Sequence, residues 1–202
     1  MFSLKNKIAL VTGSSRGIGS VISERLSTAG AHVVCVSRSE VEIKKLSKKI
    51  KKNGGSSSFF PCDISDKREV ENLIKLTLNS YGQIDILINN AGITKDNLLV
   101  RMSEEQWDTV LATNLNSAFY TTKAVIKSMM KNRFGRIVNI SSIVGLTGNQ
   151  GQYSGEDMTN MECVNGDWCI IPQNGDFTIN GVDFIFVNPG AYYLTMFNSL
   201  TP

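Results

Sequence analysis

The last third of this sequence contains neither lysine nor arginine. All 21 basic residues lie at or before Arg136, together with 12 of the 18 acidic ones, so residues 1–136 carry a net charge of +9. Residues 137–202 carry six acidic residues and no basic one, a net charge of −6. The basic part could attract an acidic partner, such as a phosphorylated cofactor or an acidic carrier protein. The alternative is a solvated surface, and the lysine-rich run 44–52 has the pattern of an exposed helix face.

The sequence also lacks a long hydrophobic run, a paired cysteine motif and a second histidine. No apolar run approaches the roughly 20 residues that cross a membrane, and Met1–Lys7 lead directly into an apolar strand pattern, so neither a membrane span nor a signal peptide is expected. The four cysteines show no CxxC spacing, and Cys35 and Cys62 are predicted to be buried free thiols. His32 is predicted to be structural. We expect a cytoplasmic protein, or one from another reducing compartment, with no metal site and neither a nucleic acid nor a membrane as partner.

Glycines are concentrated where the first apolar run ends. Ile8–Val11 predicts a buried strand, the spacing of Val21, Ile22 and Leu26 predicts an amphipathic helix, and between them stands Thr12-Gly13-Ser14-Ser15-Arg16-Gly17-Ile18-Gly19. A helix that begins after such a turn offers unpaired N–H groups and the positive end of its dipole to a phosphate. The sequence therefore predicts a nucleotide cofactor.

Strand and helix patterns alternate through the first 140 residues. Strands are predicted near 7–12, 32–37, 57–62, 84–89 and 136–141, and helices near 17–29, 39–52, 66–81 and 103–131. The last helix begins with Ser103-Glu104-Glu105-Gln106, a capping-box pattern. Later the pattern weakens, with one short helix at 156–164 and a last strand at 182–187. This alternation predicts an α/β, Rossmann-type doubly wound parallel sheet in a single domain over 1–202, with ligands bound beyond the carboxyl ends of the strands.

Five short motifs follow one another along these predicted elements, four at strand ends and one within the helix 103–131. They are Thr12-Gly13-x-x-x-Gly17-Ile18-Gly19, Cys62-Asp63-Ile64, Asn89-Asn90-Ala91-Gly92, Thr113-Asn114-Leu115 and Asn139-Ile140-Ser141-Ser142. In this order and spacing they resemble the short-chain dehydrogenase/reductases, and the runs 91–99 and 135–145 are similar to 3-oxoacyl-[acyl-carrier-protein] reductases. The resemblance covers Lys7 to about Tyr153. It implies a family-like part over 1–153, a divergent tail over 154–202 and a fold that is incomplete at its C-terminal end.

The resemblance implies a cofactor site with an adenine contact at Asp63. The other implied cofactor residues are Thr12, Gly13, Ser14, Ser15, Arg16, Gly17, Ile18, Gly19, Ile64, Asn90, Ala91 and Gly92. Arg38 follows the second predicted strand, where an acid would accept hydrogen bonds from a ribose 2′-hydroxyl and an arginine accommodates a 2′-phosphate. No acid ends that strand, so NADP(H) is favoured over NAD(H). The alternative for Arg38 is a plain surface charge.

The catalytic pattern of the family, Tyr-x-x-x-Lys, is broken in this sequence. The tyrosine of that pattern exchanges a proton while hydride moves, and the lysine stabilises its phenolate. Tyr153 occupies the right neighbourhood, but Asp157 stands four residues later, and the last lysine of the chain is Lys131. The resemblance implies that Ser142 orients the carbonyl oxygen and that Asn114 anchors a water relay. The alternative is that Tyr153 is an ordinary loop tyrosine.

The C-terminal tail, 154–202, can be aligned with the family in two registers. In the favoured one, Ile179–Gly190 resembles the last strand with its closing glycines, and the catalytic helix, sixth strand and substrate lid are missing. In the other register, the turn that contacts the nicotinamide amide is matched by Asn188-Pro189-Gly190 and Thr195. The sequence of the catalytic helix is then replaced by an unrelated one.

Two functions are therefore open. The first is NADPH-dependent reduction of a 3-oxoacyl thioester in fatty acid synthesis, with an acyl carrier protein or acyl thioester as partner. The second is a catalytically impaired NADP(H)-binding module from a truncated or alternatively spliced reductase. The resemblance also implies a homo-oligomer through helix 103–131, whose apolar positions are either interface or core, namely Leu115, Phe119, Ile126 and Met129. Arg133, at the end of that helix, could face an acidic carrier or interact with the helix dipole.

Overall fold

The computed structural model describes residues 3–97, 99–141, 177–179 and 182–187. The strands are β1 (Ile8–Thr12), β2 (His32–Ser37), β3 (Ser56–Pro61), β4 (Ile86–Asn89), β5 (Gly135–Ile140), β6 (Phe177–Ile179) and β7 (Val182–Val187). The α-helices are α1 (Gly17–Thr28), α2 (Glu40–Lys52), α3 (Lys67–Tyr81), α4 (Glu104–Leu111) and α5 (Ser117–Asn132). A short 3₁₀ helix covers Leu99–Arg101, and one turn of π-helix, Ala112–Asn116, joins α4 to α5.

One sheet contains all of these strands, in the order β3-β2-β1-β4-β5-β7-β6. Neighbouring strands are parallel throughout, apart from the antiparallel pair of β6 and β7 at one edge. The strand order reverses between β1 and β4, because the chain builds outward from β1 in one direction and from β4 in the other. In such sheets ligands bind beyond the carboxyl ends of the strands at that reversal. The predicted α/β, Rossmann-type doubly wound sheet is confirmed.

Alternate side chains of the central strands enter two separate cores. Leu10 and Leu87 pack with Leu73 of α3 and with Val125 and Met129 of α5. The neighbouring strand positions face the other way and pack against α1 and α2, in a second cluster that contains Val11, Val33, Leu26 and Ile43. This pleat alternation explains why the central strands are apolar without interruption, since helices cover both faces of the sheet.

Local sequence signals set the ends of two helices. Asp66 caps α3, its carboxylate accepting hydrogen bonds from the backbone N–H groups of Arg68 (2.7 Å) and Glu69 (3.3 Å). The predicted capping box of α4 is confirmed, because the hydroxyl of Ser103 accepts from the N–H of Gln106 (3.2 Å) and the Gln106 side chain accepts from the N–H of Ser103 (3.0 Å). Such caps satisfy donors that the first helical turn leaves unpaired.

The single helix predicted over 103–131 is interrupted in the structure. The π turn at Ala112–Asn116 divides it into α4 and α5, although the backbone stays right-handed helical through both junctions. Met129 and Ile126 face the core, whereas Phe119 remains 52% exposed and Leu115 is half-buried. A period of 3.6 residues could not reveal this, because one π turn adds a residue without breaking the apolar pattern.

The predicted strand at Val182–Val187 is confirmed as β7, which pairs with β5 and so extends the parallel sheet. The strand Phe177–Ile179 was not predicted. Three residues are too short a β pattern to stand out from polar, turn-rich surroundings. The predicted helix at 156–164 lies outside the described residues, as do the Asn188–Gly190 turn and Thr195 that separate the two registers of the tail. Within the residues that the structure describes, no helix is long and apolar enough to cross a membrane.

Candidate functional site

The glycine-rich turn links the carboxyl end of β1 to the first residue of α1. Gly13 and Gly17 adopt positive φ angles of 64° and 57°, a backbone region that side chains with a Cβ rarely enter. Arg16 occupies the N-cap position and makes no capping hydrogen bond, and the first turn of α1 contains no acidic residue. Neither the N-cap side chain nor the first turn of α1 therefore neutralises the positive end of this helix dipole, which suits a phosphate group.

The hydroxyl of Thr12 fastens the glycine turn to the end of β4. It donates to the carbonyl of Ile88 (3.2 Å) and accepts from the backbone N–H groups of Asn90 (3.0 Å) and Ala91 (3.1 Å). Thr12 is 2% exposed, and its hydrogen bond to Ile88 is buried, while those from Asn90 and Ala91 are partly buried. The two loops that border the site are consequently held together by one buried oxygen atom.

Asn90 completes this connection from the opposite loop. Its side-chain amide donates to the carbonyls of Thr12 (3.0 Å) and Gly13 (3.2 Å). A Cβ at Gly19 would collide with the carbonyl oxygen of Gly13 and with the Asn90 amide, so only glycine allows this approach. Around them Ser14 is buried and Ser15 half-buried, while Arg16 and Ile18 are exposed. Gly92 is exposed at the end of the Asn90 loop.

Arg38 and Asp63 lie at the ends of two adjacent strands, β2 and β3. A guanidinium nitrogen of Arg38, Nη1, is 3.9 Å from Oδ2 of Asp63, and 69% of the Arg38 side chain is exposed. The glycine turn reaches this end of the sheet through Ser14, whose backbone N–H donates to the carbonyl of Val36 (3.1 Å). An exposed arginine beside the glycine turn fits the predicted contact to a 2′-phosphate. Ile64 differs from the other predicted cofactor residues, because its side chain lies in the hydrophobic core.

Asn114 lies in the π turn between α4 and α5, where its side chain pairs with the backbone of Ile93. Its Oδ1 accepts from the N–H of Ile93 (2.9 Å), and its Nδ2 donates to the Ile93 carbonyl (3.0 Å). The amide therefore makes two hydrogen bonds that fix the loop after β4, and the structure brings Asn114 beside the Asn90–Gly92 loop. π turns within α-helices are frequent at functional sites.

A polar network below this loop was not predicted from the sequence. Asn89 is 8% exposed at the end of β4, where its Oδ1 accepts from the Thr121 hydroxyl (2.7 Å) and its Nδ2 donates to Oδ1 of Asn139 (2.9 Å). It joins the carboxyl ends of β4 and β5 to α5. The sequence offered one signal for this network, an asparagine towards the end of each of two otherwise apolar strands. A buried amide requires hydrogen-bond partners, so these asparagines predict a polar network.

The catalytic residues implied by the resemblance, Ser142 and Tyr153, lie outside the described residues. β5 ends at Ile140, and the described segment that contains it ends at Ser141, one residue before the predicted serine. Among the described residues, no group of three or more His, Cys, Asp or Glu side chains could hold a metal ion.

The titratable groups with displaced pKa values lie in the interior or at the amino end of the sheet. Cys35 and Cys62 are buried free thiols, as predicted. Burial raises the pKa of Cys35 to about 11 and the pKa of Cys62 to about 12. His32 lies between Ser56 and Ser58, whose hydroxyls are 2.7 and 3.1 Å from its ring nitrogens, and burial followed by the charge of Lys51 lowers its pKa. These contacts support the structural role predicted for His32.

A comparison with known families identifies the family to which this site belongs. The family model named short chain dehydrogenase matches residues 7–154. The chain belongs to the short chain dehydrogenase family. The match includes the glycine turn, Asp63, the Asn90 loop, Asn114 and Ser142.

Curated and solved short chain dehydrogenases are similar to the same part of the chain. The 3-oxoacyl-[acyl-carrier-protein] reductase FabG of Haemophilus influenzae is 48% identical over 149 residues, which cover 74% of this chain and 60% of that protein. The protein of the same name from Escherichia coli is 44% identical over 150 residues, with the same coverage. The chain thus spans about 60% of the length of these curated relatives. A crystal structure of a metagenomic short-chain oxidoreductase in complex with NADP aligns with a TM-score of 0.72 and 31% identity, covering 74% of this chain and 68% of that one.

Proposed function

We propose that this chain binds NADP(H) and is a reductase of the 3-oxoacyl-[acyl-carrier-protein] type, acting in fatty acid synthesis. The observation that carries the proposal is the glycine turn, which Thr12 and Asn90 hold against the loop after β4 at the reversal of the strand order. Exposed Arg38 at the end of β2 supports NADP(H) over NAD(H). The relatives named as 3-oxoacyl-[acyl-carrier-protein] reductases support the substrate class.

The proposed reaction divides among three residues of this chain. The bound dinucleotide would supply hydride to C3, the ketone carbon of the 3-oxoacyl thioester. Tyr153 would donate the proton to the carbonyl oxygen, which Ser142 would orient, and Asn114 would anchor the water relay. An acyl carrier protein or acyl thioester would be the partner, and Arg133, exposed at the end of α5, would face an acidic carrier.

A second candidate is an NADP(H)-binding module with little or no turnover. The observation that favours it is Asp157, which stands four residues after Tyr153, together with the absence of any lysine after Lys131. An acid at that position raises the pKa of a neighbouring phenol, whereas the reaction needs the phenolate to be stabilised. The other proposals are a single domain over 1–202, a cytoplasmic location and a homo-oligomer through α4 and α5, where exposed Phe119 is a contact candidate.

Two measurements separate these candidates. Titration with NADPH, followed by the fluorescence of its dihydronicotinamide, tests the cofactor site, and wild-type protein that shows no binding refutes both. Oxidation of NADPH in the presence of an acetoacetyl thioester tests the enzyme. Turnover that Tyr153→Phe abolishes supports the reductase, while binding without turnover supports the module. If a catalytic helix is absent, Asp157→Lys by itself restores no activity.

A further inference from the structure

Arg38 and Asp63 are neighbours because β2 and β3 end in register. The N–H of Cys62 donates to the carbonyl of Ser37 (3.1 Å), so the residues that follow each strand emerge side by side. Nη1 of Arg38 then lies 3.9 Å from Oδ2 of Asp63. The two residues assigned to the adenosine end of the cofactor therefore interact with each other.

The Asp63 carboxylate is held in place on its other side. Its Oδ1 accepts from the backbone N–H (3.0 Å) and the hydroxyl (2.7 Å) of Ser65. The N–H of Asp63 in turn donates to Oε2 of Glu69 (2.7 Å). With Oδ1 committed to Ser65, Oδ2 is the oxygen that faces the guanidinium of Arg38.

Arg38 has little else to hold it. Its side chain is 69% exposed, and within the described part of the chain its one ion-pair partner is Asp63. A phosphate that approaches this guanidinium meets a carboxylate already beside it, which competes for the same donors and repels the incoming negative charge. Both effects weaken the binding of a phosphate at Arg38.

We propose that Asp63 competes with the 2′-phosphate of the cofactor for Arg38, and so limits the preference of this site for NADP(H) over NAD(H). The inference rests on the proposed binding of NADP(H). Since the two cofactors differ only in the 2′-phosphate, the ratio of their dissociation constants isolates what the site gains from that phosphate. Any contact of Asp63 with the adenine affects both cofactors equally and cancels in that ratio.

The test is the Asp63→Asn variant, which removes the charge and keeps an oxygen for Ser65. The dissociation constants for NADPH and NADH are measured by fluorescence titration. The expected result is that the dissociation constant for NADH, divided by that for NADPH, is about two- to fivefold higher in Asp63→Asn than in wild type. Exposed ion pairs have effects of this size. Glu71→Gln, which removes one exposed negative charge from α3, the helix that follows Asp63, is the matched control and should leave the ratio nearly unchanged.

A double-mutant cycle with Arg38→Met identifies the route of the effect. In that background Asp63→Asn should change the ratio less than it does in wild type, because the donor under competition is gone and only the direct repulsion of the phosphate remains. A ratio that is unchanged or lower in Asp63→Asn overturns the inference while leaving the proposed cofactor intact. Wild-type protein that binds no NADPH overturns both. If circular dichroism shows that Asp63→Asn is unfolded, Asp63→Ser, which retains a hydroxyl acceptor for Ser65, decides the same question.

Discussion

Replacement of Thr12 by valine removes one oxygen atom from the centre of the site and little else. Valine has nearly the same shape and the same β-branching, so the strand conformation of β1 is preserved. What disappears is the hydroxyl that bonds to Ile88, Asn90 and Ala91. Two backbone N–H groups and one carbonyl then lose a partner beside a residue that is 2% exposed.

The expected cost follows from those three bonds. A net intramolecular hydrogen bond contributes about 0.5–1.5 kcal/mol, and an orphaned buried group costs about 1–3 kcal/mol. Because water can reach part of the loop after β4, we expect a loss of about 2–4 kcal/mol in the free energy of unfolding, a large fraction of the usual 5–15 kcal/mol. At a urea dependence of roughly 2–3 kcal/mol per molar, the midpoint falls by about 0.7–2 M.

The assay is urea unfolding followed by circular dichroism, with NADPH titration alongside it. Thr12→Ser is the matched control: it keeps the oxygen, loses one methyl group and should cost only about 1 kcal/mol. NADPH affinity should fall in Thr12→Val, because the two loops that border the site are no longer tied together. If Thr12→Val unfolds at the same urea concentration as the wild type, the hydroxyl contributes nothing to stability and the reasoning is refuted.

The remaining predictions concern other parts of the same structure. Gly19→Ala should weaken NADPH binding at least tenfold in a fluorescence titration, because its Cβ collides with the glycine turn. Asn114→Ala should lower the free energy of unfolding by about 1–3 kcal/mol in urea, because both backbone groups of Ile93 lose their partner. The free energy of unfolding should fall as pH rises from about 9 towards 11 and 12, since the folded state keeps Cys35 and Cys62 neutral while the unfolded thiols, with an ordinary pKa of 9.0, ionise. Each thiol contributes a slope of at most about 1.4 kcal/mol per pH unit.

Matched variants control these three predictions. Val21→Ala removes an exposed side chain from the same helix as Gly19, and it should leave NADPH binding unchanged. Asn114→Asp keeps the oxygen that accepts from Ile93, and it should cost less than the alanine variant. Replacing both buried cysteines by alanine should flatten the alkaline slope. Equal slopes in the variant and the wild type would show that other groups cause the alkaline instability.

Much of the fold followed from patterns that are local in the chain. Five strands and their helices were predicted within about two residues, because apolar runs bounded by glycine and polar turns specify both element type and length. The capping box at Ser103 was readable for the same reason, since its donor and acceptor are three residues apart. The π turn at Ala112–Asn116 was not readable, because it leaves the apolar period nearly intact.

Some residues of the candidate site were likewise predictable from the sequence, and others were not. The glycine turn, Arg38, Asp63 and the Asn90 loop were predicted as motifs, and the family match covers all of them. The Asn89–Asn139–Thr121 network was missed, because its members come from three elements that only the parallel sheet brings together.

The sequence by itself determined the family, the element order and the chemical character of the phosphate end of the site. It also determined that no lysine follows Tyr153, a matter of composition that no folding can alter. Only the tertiary structure decided which atoms meet: the Thr12 hydroxyl with the loop after β4, the Asn114 amide with Ile93, and Arg38 with Asp63. These pairings join residues 21 to 79 positions apart in the chain, and strand order and helix packing, rather than local pattern, set such distances.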